Sequence, residues 1–449
     1  VNKVSGNIHF VIFQEGEQEI DIDAEEVKLP ARPLSELEHT YDEKEKRIRE
    51  INALFDEYAV KYQELLRKER RNLQETTQFN QAKNHTEMQA ENKVMLLEGW
   101  VPETKEQDLK DFLEKEDAVY IREETQPEDP SEVPILLKNN KFAKVYQPLQ
   151  DLFSLPHYRE IDLTPFFAPF FMMFFGFCLG DAGYGIFMLA AVTLYKHTKA
   201  KPGMKLYLTM AQYLGLATVI MGVIGGTLFG INLTEVDWTS QFQNLFLKPQ
   251  ELFNLSLAIG MLQILFGMAI KAANFWKQQG FVYALSTIGW MLLILSSIVF
   301  VGGDELGWFS LEQVKTIYYG FLILSGVLVF FFSDPKINVF ARVGKGVWDA
   351  YNVATGVFGD LLSYIRLFAI GISTAILGFV INEIALTFGQ VPYAGPLIFV
   401  IILVVGHIGN LLISSLGSFV HPMRLIFVEF YKNAGFEGGG KRYKPFSKS

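Results

Sequence analysis

Two arginines stand in apolar stretches near the end of this 449-residue chain. Arg366 lies in LLSYIRLFAIGIST (361–374), with no acidic residue one helical turn away, and Arg424 lies in SFVHPMRLIFVEF (418–430). A charged side chain at a bilayer centre costs about 2.5–3.5 kcal/mol even on the mildest scale, so such residues usually serve a function. Arginine is a permanent cation that can attract a carboxylate, lower its pKa and expel the cation it carries. The pair indicates ion-handling chemistry inside a membrane.

Polar side chains follow each arginine at helical spacing. At about 100° per residue, Ser373 falls within about 20° of Arg366. Ser363 lies about 60° away from it and Asp360 about 120° away. In the second stretch, a stripe of roughly 100° around Arg424 holds His407, Asn410, Ser414 and His421. Small and amide side chains also pack helices together in lipid. For the serines alone we favour that interpretation, whereas for His407 and Asn410 packing and function stand as equal alternatives.

Neither arginine has an evident counter-charge in its own stretch. Asp360 and Glu383 are the acids nearest to Arg366, and neither shares its face. Glu429 lies five residues beyond Arg424, which is badly placed for a direct pair. Because a buried charge needs a partner, we expect the counter-charge to come from another subunit. The candidate ion-translocating residues are therefore Arg366 and Arg424, and the supporting or half-channel candidates are His421, Glu429, Asp360, Ser363, Ser373, Asn410, His407, Ser414 and Glu383.

The elements that must position these residues are long apolar helices. The chain is 50% hydrophobic with 39 Phe, and the apolar residues concentrate after residue 165. About 20 apolar residues span the roughly 30 Å of hydrocarbon. The last two apolar segments exceed that length, so they must tilt or project beyond the bilayer. We predict about eight spans, at 164–179, 182–197, 205–230, 252–272, 281–302, 314–332, 352–388 and 393–432.

Basic residues in the short loops set the orientation, because cytoplasmic loops carry an excess of Lys and Arg. The loops after spans three and five hold only Lys248 and Lys315, with several acids. This pattern places the soluble part and the tail KRYKPFSKS in the cytoplasm. The loops after spans two, four and six hold Lys196, Lys199, Lys201, Lys205, Lys271, Lys277, Lys336, Arg342 and Lys345.

The charged first third of the chain is predicted to form a soluble α+β arm. A heptad seam over 34–65 predicts a coiled-coil helix, which is either half of a helix pair in one domain or an extended arm that carries load. Gly99 and Pro102 are expected to end the helical region, and 109–116 to form a short helix. NIHFVIF (7–13) predicts a strand. We expect a cytoplasmic arm over 1–135, a linker over 136–163, a membrane domain over 164–432 whose ion-translocating helices are 352–388 and 393–432, and a cytoplasmic tail over 433–449.

Several function classes are excluded. The one cysteine, Cys178, lies in an apolar run, which excludes disulfides and Cys-based metal sites. No basic patch with interleaved aromatic residues points to nucleic acid. GDAGYG (180–185) and GFEGGGKR (435–442) resemble phosphate loops but lack a preceding strand and the Lys-Ser/Thr pair, so no nucleotide is expected to bind. The sequence predicts no cofactor. Because it begins VNKVSGNIHF without Met, we expect an N-terminal portion to be missing.

The long motifs around both arginines resemble the membrane subunit, a or I, of the V/A-type rotary ATPases. The likeness covers nearly the whole chain, and it fits bacterial or archaeal members better than eukaryotic ones. Two departures support that preference: Ser414 stands where eukaryotic members have Glu, and Thr374 where they have His. The motifs are GWVP (99–102), TPFFAPFFMMFFGFCLGDAGYG (164–185), GVWDAYNVATGVFGDLLSYIRLFAIGIST (346–374), SSLGSFVHPMRLIFVEFY (414–431) and GGGKRYKPF (438–446).

The resemblance implies a stator subunit that is not itself an enzyme. Its last two helices would lie beside a rotating proteolipid ring (c or K type), and two half-channels would load and unload each ring carboxylate with H⁺ or Na⁺. Arg366 and Arg424 match the two arginines of the family, and His421 its histidine. The implied partners are this ring, peripheral-stalk subunits of the E/G type, a central-stalk cap subunit of the d/C type and the lipid of the cell membrane. The alternative is a secondary transporter with an arginine-lined anion site, although no internal repeat supports it.

Overall fold

The computed structural model describes residues 2–4, 7–9, 33–84, 86–89, 94–116, 118–121, 132–233, 246–334 and 337–445. It divides the chain into two compact units. One holds Val1–Glu98 with Pro445–Ser449, and the other holds Gly99–Lys444. The division into an arm, a linker and a membrane domain at residues 135 and 163 stays a prediction.

The first unit contains one long helix and short paired strands within its described part. Helix α1 (Leu34–Asn84) has none of its residues buried, so the apolar seam lies open. Strands β1 (Asn2–Val4) and β2 (Asn7–His9) pair antiparallel, as do β3 (Thr86–Gln89) and β4 (Val94–Leu97). The strand predicted over 7–13 is described only as far as His9, and the rest lies outside the described residues. The coiled coil and the α+β arm stay predictions.

The predicted end of the helical region at Gly99 and Pro102 is wrong. Helix α1 ends at Asn84, and the next described residues form the β3–β4 ladder, with Thr86 opposite Leu97. After Leu73 the sequence loses the apolar spacing that favours a helix, so strand pairing takes over. The short helix predicted over 109–116 is confirmed as α2 (Glu106–Lys115), in the second unit.

The second unit is a bundle of long helices, and each predicted span contains a helix. From residue 141 onward, the helices of this unit are α3 (Lys141–Phe153), α4 (Thr164–Leu179), α5 (Ala182–Thr198), α6 (Lys205–Ile224), α7 (Pro249–Gln279), α8 (Phe281–Glu305), α9 (Leu311–Phe331), α10 (Val339–Gly389), α11 (Gly395–Arg424), a π-helix (Leu425–Phe430) and α12 (Tyr431–Ala434). The span predicted over 205–230 is too long. Helix α6 ends at Ile224, where two glycines follow, and strands β6 (Thr227–Leu228) and β7 (Ile231–Asn232) form a hairpin instead.

Helix α4 lies at the centre of the bundle because it is apolar on every side. Its side chains Phe167, Phe171 and Phe174 are at most 1% exposed. It packs against α3, α6, α10 and α11. Chain connectivity alone therefore does not set the arrangement: α4 holds the two arginine-bearing helices together from the inside.

Six helices of the described chain are long and apolar enough to cross a membrane. Helices α4 and α5 pass the same test only together, and they are bent by 120° at Gly180 and Asp181. The pair adds one span if it is counted as a single broken one. The motif GDAGYG (180–185) therefore forms the turn between α4 and α5. The count of eight, which takes α4 and α5 as separate spans, stays a prediction.

The Gly-rich tail folds back on the segment before α4. Strand β8 (Lys441–Arg442) pairs in parallel with β5 (Pro134–Ile135), and Arg442 forms an ion pair with Asp151. The carboxylate of Glu160 accepts hydrogen bonds from the backbone N–H groups of Glu437 at 2.7 Å and Gly438 at 3.3 Å. The loop that resembles a phosphate loop thus binds an anion of its own chain.

Candidate functional site

The two arginines lie on adjacent helices, α10 and α11. Arg366 is half-buried on α10, and Arg424 is exposed at the end of α11. Neither forms an ion pair with any residue in the described ranges. His421, one turn before Arg424, is within electrostatic range of both guanidinium groups. We call Arg366, Arg424 and His421 the cationic cluster, after its two guanidinium groups.

The backbone widens immediately after Arg424. Pro422 lies inside α11 and has no N–H to donate to the carbonyl four residues earlier. The π-helix Leu425–Phe430 follows, and its residues Leu425, Ile426, Glu429 and Phe430 are buried. Such wide turns are frequent at functional sites because they re-aim the side chains that follow. Here the π-helix turns Glu429 into the bundle.

A hydrogen-bond network, buried except at the half-buried Asn382 and His407, lies beyond Arg366 toward the end of α10. We call it the Tyr184 network, and its members are Tyr184, Thr374, Asn382, His407, Asn410 and Ser414. The Tyr184 hydroxyl lies 2.7 Å from His407 Nδ1, and His407 Nε2 lies 2.9 Å from Asn382 Oδ1. Since Asn382 Nδ2 donates to the Phe229 carbonyl, its Oδ1 must accept from His407 Nε2–H. We therefore assign His407 as the neutral Nε2–H tautomer, which accepts from Tyr184.

Asn410 connects the hydrogen bonds of Tyr184 and His407 to α10. Its Nδ2 donates to the Tyr184 hydroxyl at 2.8 Å and to the Thr374 carbonyl at 3.2 Å. Its Oδ1 accepts from Ser414, which in turn accepts from the Thr374 hydroxyl at 3.2 Å. Each side-chain donor of the Tyr184 network therefore has an acceptor. These hydrogen bonds link α5, α10 and α11.

The bend between α4 and α5 is held by one buried carboxylate. Asp181 is fully buried and caps α5 by accepting from Gly183 N–H at 2.8 Å and Tyr184 N–H at 3.1 Å. It also accepts from Phe229 N–H and Gly230 N–H of the β6–β7 hairpin, both at 2.8 Å. Asp181 thus positions both Tyr184 and the carbonyl that orients Asn382.

A second buried polar group lies on the other side of Arg366. The carboxylate of Asp360, which is 6% exposed, accepts from Lys432 Nζ at 2.8 Å and Asn433 Nδ2 at 2.7 Å. Tyr364 donates its hydroxyl hydrogen to Gln263 Oε1 of α7 at 2.7 Å. Glu429 is 2% exposed and lies within electrostatic range of Tyr364. We call Gln263, Tyr364 and Glu429 the Gln263 cluster.

The cationic cluster lies between these two polar groups along α10. At about 1.5 Å of rise per residue, Thr374 and Asn382 lie about 12 and 24 Å beyond Arg366, and Asp360 lies about 9 Å before it. In the part of the chain that the structure describes, no group of three or more His, Cys, Asp or Glu side chains could hold a metal ion. Polar side chains thus lie on both sides of Arg366 along α10.

Comparison with known proteins supplies the family. Residues 1–225 match the model of the V-type ATPase 116kDa subunit family. The chain belongs to this family.

Curated relatives extend the likeness to both arginine-bearing helices. The chain is 30% identical to the A-type ATP synthase subunit I of Methanothermobacter thermautotrophicus over 91% of this chain and 58% of the relative. It is 30% identical to that of Methanocaldococcus jannaschii over 78% of this chain and 54% of the relative. Identity to the V-type ATP synthase subunit I of Borreliella burgdorferi is 26%, over all of this chain and 75% of the relative. The chain spans a little over half the length of the A-type relatives.

Membership confirms the resemblance seen in the sequence to subunit a or I of the V/A-type ATPases. Each of these relatives is named as subunit I of an A-type or V-type ATP synthase. Apolar helices of sufficient length agree with a membrane location.

The structure brings some of the predicted site residues together and separates others. His407, Asn410 and Ser414 meet in the Tyr184 network, and His421 accompanies the two arginines. The remaining candidates lie apart. Ser363 donates to the Gly359 carbonyl of its own helix, Ser373 and Glu383 are exposed, Asp360 pairs with Lys432, and Glu429 joins the Gln263 cluster.

Sequence reasoning missed several members of both polar groups. In the sequence, Tyr184 and Asp181 stand out only as parts of the motif GDAGYG, and Thr374 only as a departure from the eukaryotic pattern. Gln263 carried a signal, since it is a lone polar residue inside the apolar run of α7. Asn382 precedes Glu383 directly, and an acidic residue is the stronger candidate for an ion path.

Proposed function

We propose that this chain is the stator membrane subunit of a rotary V/A-type ATPase, which couples H⁺ or Na⁺ translocation to rotation of a proteolipid ring. One observation carries the proposal: the two arginines lack a counter-charge in the described chain, and buried polar groups lie on both sides of them along α10. Permanent cations retained in apolar surroundings need an anion, and a ring carboxylate from another subunit supplies it.

The mechanism follows from charge and position. A ring carboxylate that meets Arg366 releases its cation, because the guanidinium favours the ionised form. The released cation leaves through one polar path while the next enters through the other, and the arginines repel any cation that would pass directly. Net flow then requires the ring to rotate. The Tyr184 network and the Gln263 cluster mark the two paths, with His421, Glu429, Asp360, Ser363, Ser373, Asn410, His407, Ser414 and Glu383 as candidate lining residues.

The same proposal assigns the surroundings of the chain. The basic loops orient α10 with its first residues in the cytoplasm, so the arm and the tail lie there too, as parts of a multi-pass protein of the cell membrane. The ring would contact α10 and α11. Peripheral-stalk subunits of the E/G type and a central-stalk cap of the d/C type would contact the arm.

ATP-driven ion uptake into vesicles that hold the assembled complex tests the proposal. Arg366→Lys and Arg366→Ala are compared with wild type, and Arg342→Lys near the start of α10 is the matched control. We expect both Arg366 variants to lose uptake and the control to keep it, while all assemble. Full uptake in both Arg366 variants would refute the mechanism. Runs with and without Na⁺, and with a protonophore, identify the ion.

A further inference from the structure

The Gln263 cluster contains two buried polar atoms with nothing to bind in the described chain. Gln263 and Tyr364 are fully buried, and Gln263 uses its Oε1 to accept the Tyr364 hydroxyl hydrogen. Gln263 Nε2 and Glu429 Oε2 have no hydrogen-bond partner among the described residues. One is a donor and the other an acceptor. An unmet buried polar group costs about 1–3 kcal/mol, so two in one cluster point to a small polar ligand.

Packing holds the cluster in place. Gly260 lies one turn before Gln263, and a methyl group there would overlap the Tyr364 ring, so only glycine allows this approach of α7 to α10. Asn433 donates to the Glu429 carbonyl at 2.8 Å. The backbone of the π-helix is thereby fixed, and the unpartnered atoms are not the result of a loose side chain.

The charges around the cluster leave Glu429 as its acidic side chain. Asp360 and Lys432 are paired at 2.8 Å and largely neutralise each other. Glu429 has no ion pair within the described ranges. Carboxylate, amide and hydroxyl oxygens are the ligands that small hard cations prefer, and the same groups hydrogen-bond a hydrated proton.

We infer that Gln263 is a positioning residue of the ion path: with the Tyr364 hydroxyl it completes the polar surround of the Glu429 carboxyl, where one small cation, H⁺ with its water or Na⁺, stops on its way to or from the ring. The inference rests on the proposed function. Tyr364 stands two residues before Arg366, which is about 200° around the helix. The stop therefore lies at nearly the depth of Arg366 but on the other side of α10.

The test is the dependence of ATP-driven uptake on cation concentration in the assembled complex. Gln263→Leu removes both polar atoms of the side-chain amide, and we expect the half-saturating cation concentration to rise about tenfold. Gln263→Glu keeps the oxygen that accepts from Tyr364 and adds a second carboxyl, and we expect that concentration to fall at least threefold. One arm varies Na⁺ at fixed pH and the other varies pH without Na⁺.

Ser256→Ala is the matched control, because Ser256 is fully buried on the same helix and, among the described residues, donates its hydroxyl hydrogen only to the Phe253 carbonyl. We expect it to saturate like wild type. The inference is overturned if both Gln263 variants stay within twofold of wild type, if they shift in the same direction, or if the control shifts as they do. If Gln263→Leu does not assemble, the direction for Gln263→Glu decides alone. Arg366→Ala, run in parallel, reports separately on the proposed function.

Discussion

We expect loss of the Asp181 carboxylate to destabilise the bend between α4 and α5. Its oxygens accept four backbone N–H groups, at 2.8, 3.1, 2.8 and 2.8 Å, from two separate elements. Asp181 and Gly230 N–H are buried, and water cannot readily replace the carboxylate there. Asp181→Ala leaves all four donors without an acceptor.

The size of the effect follows from that count. An unmet buried donor costs about 1–3 kcal/mol, so four set an upper range of about 4–12 kcal/mol, reduced because the bonds share one side chain. Asp181→Asn keeps the oxygen that accepts three of the bonds and turns an N–H toward Gly230. We therefore expect it to cost about 1–3 kcal/mol.

Thermal unfolding of the purified chain in detergent measures the difference. We expect the unfolding temperature to fall in the order wild type, Asp181→Asn, Asp181→Ala. Asp108→Ala is the matched control, since Asp108 is an exposed aspartate paired only with Lys105, and it should unfold like wild type. Equal losses in both Asp181 variants, or no loss in Asp181→Ala, would refute the reasoning.

Three further changes test the packing around the site, each by the same unfolding assay. Gly440→Ala forces a methyl group into the backbone of the segment before α4 and is expected to cost about 1–3 kcal/mol; an unchanged unfolding temperature would contradict the docking of the tail. Gly260→Ala drives a methyl group into the Tyr364 ring, with a similar loss expected, and Gly260→Ser should lose at least as much. Lys432→Met leaves the Asp360 carboxylate without its cation and is expected to cost about 1–3 kcal/mol; a gain in stability would show that the pair is unimportant.

The long helices were predictable because their cause is local. A continuous apolar run favours a helix in lipid, since every backbone hydrogen bond must close within the segment. Each predicted span therefore contains a helix. The errors lie at boundaries: α6 ends six residues early, and α1 ends before Gly99. There, β6–β7 and β3–β4 pairing competes with the helix, and such pairing depends on residues farther along the chain.

The candidate site was predictable in part. The arginines can be recognised in the sequence, because a charged residue in an apolar run is rare. Their polar companions cannot be found in this way, because Tyr184 of α5 and His407 of α11 are far apart in the sequence and only helix packing brings their side chains into contact. Helical spacing correctly kept Asp360 off the face of Arg366, but it could not supply Lys432 as its partner.

The sequence by itself determined the apolar helices, their orientation signal, the two unmatched arginines and the family. These features depend on composition and spacing within single segments. The tertiary structure alone decided which polar side chains meet, the neutral tautomer of His407, the four-donor role of Asp181 and the unpartnered atoms of Gln263 and Glu429. Each of those depends on distances between atoms of different helices, and helix packing sets those distances.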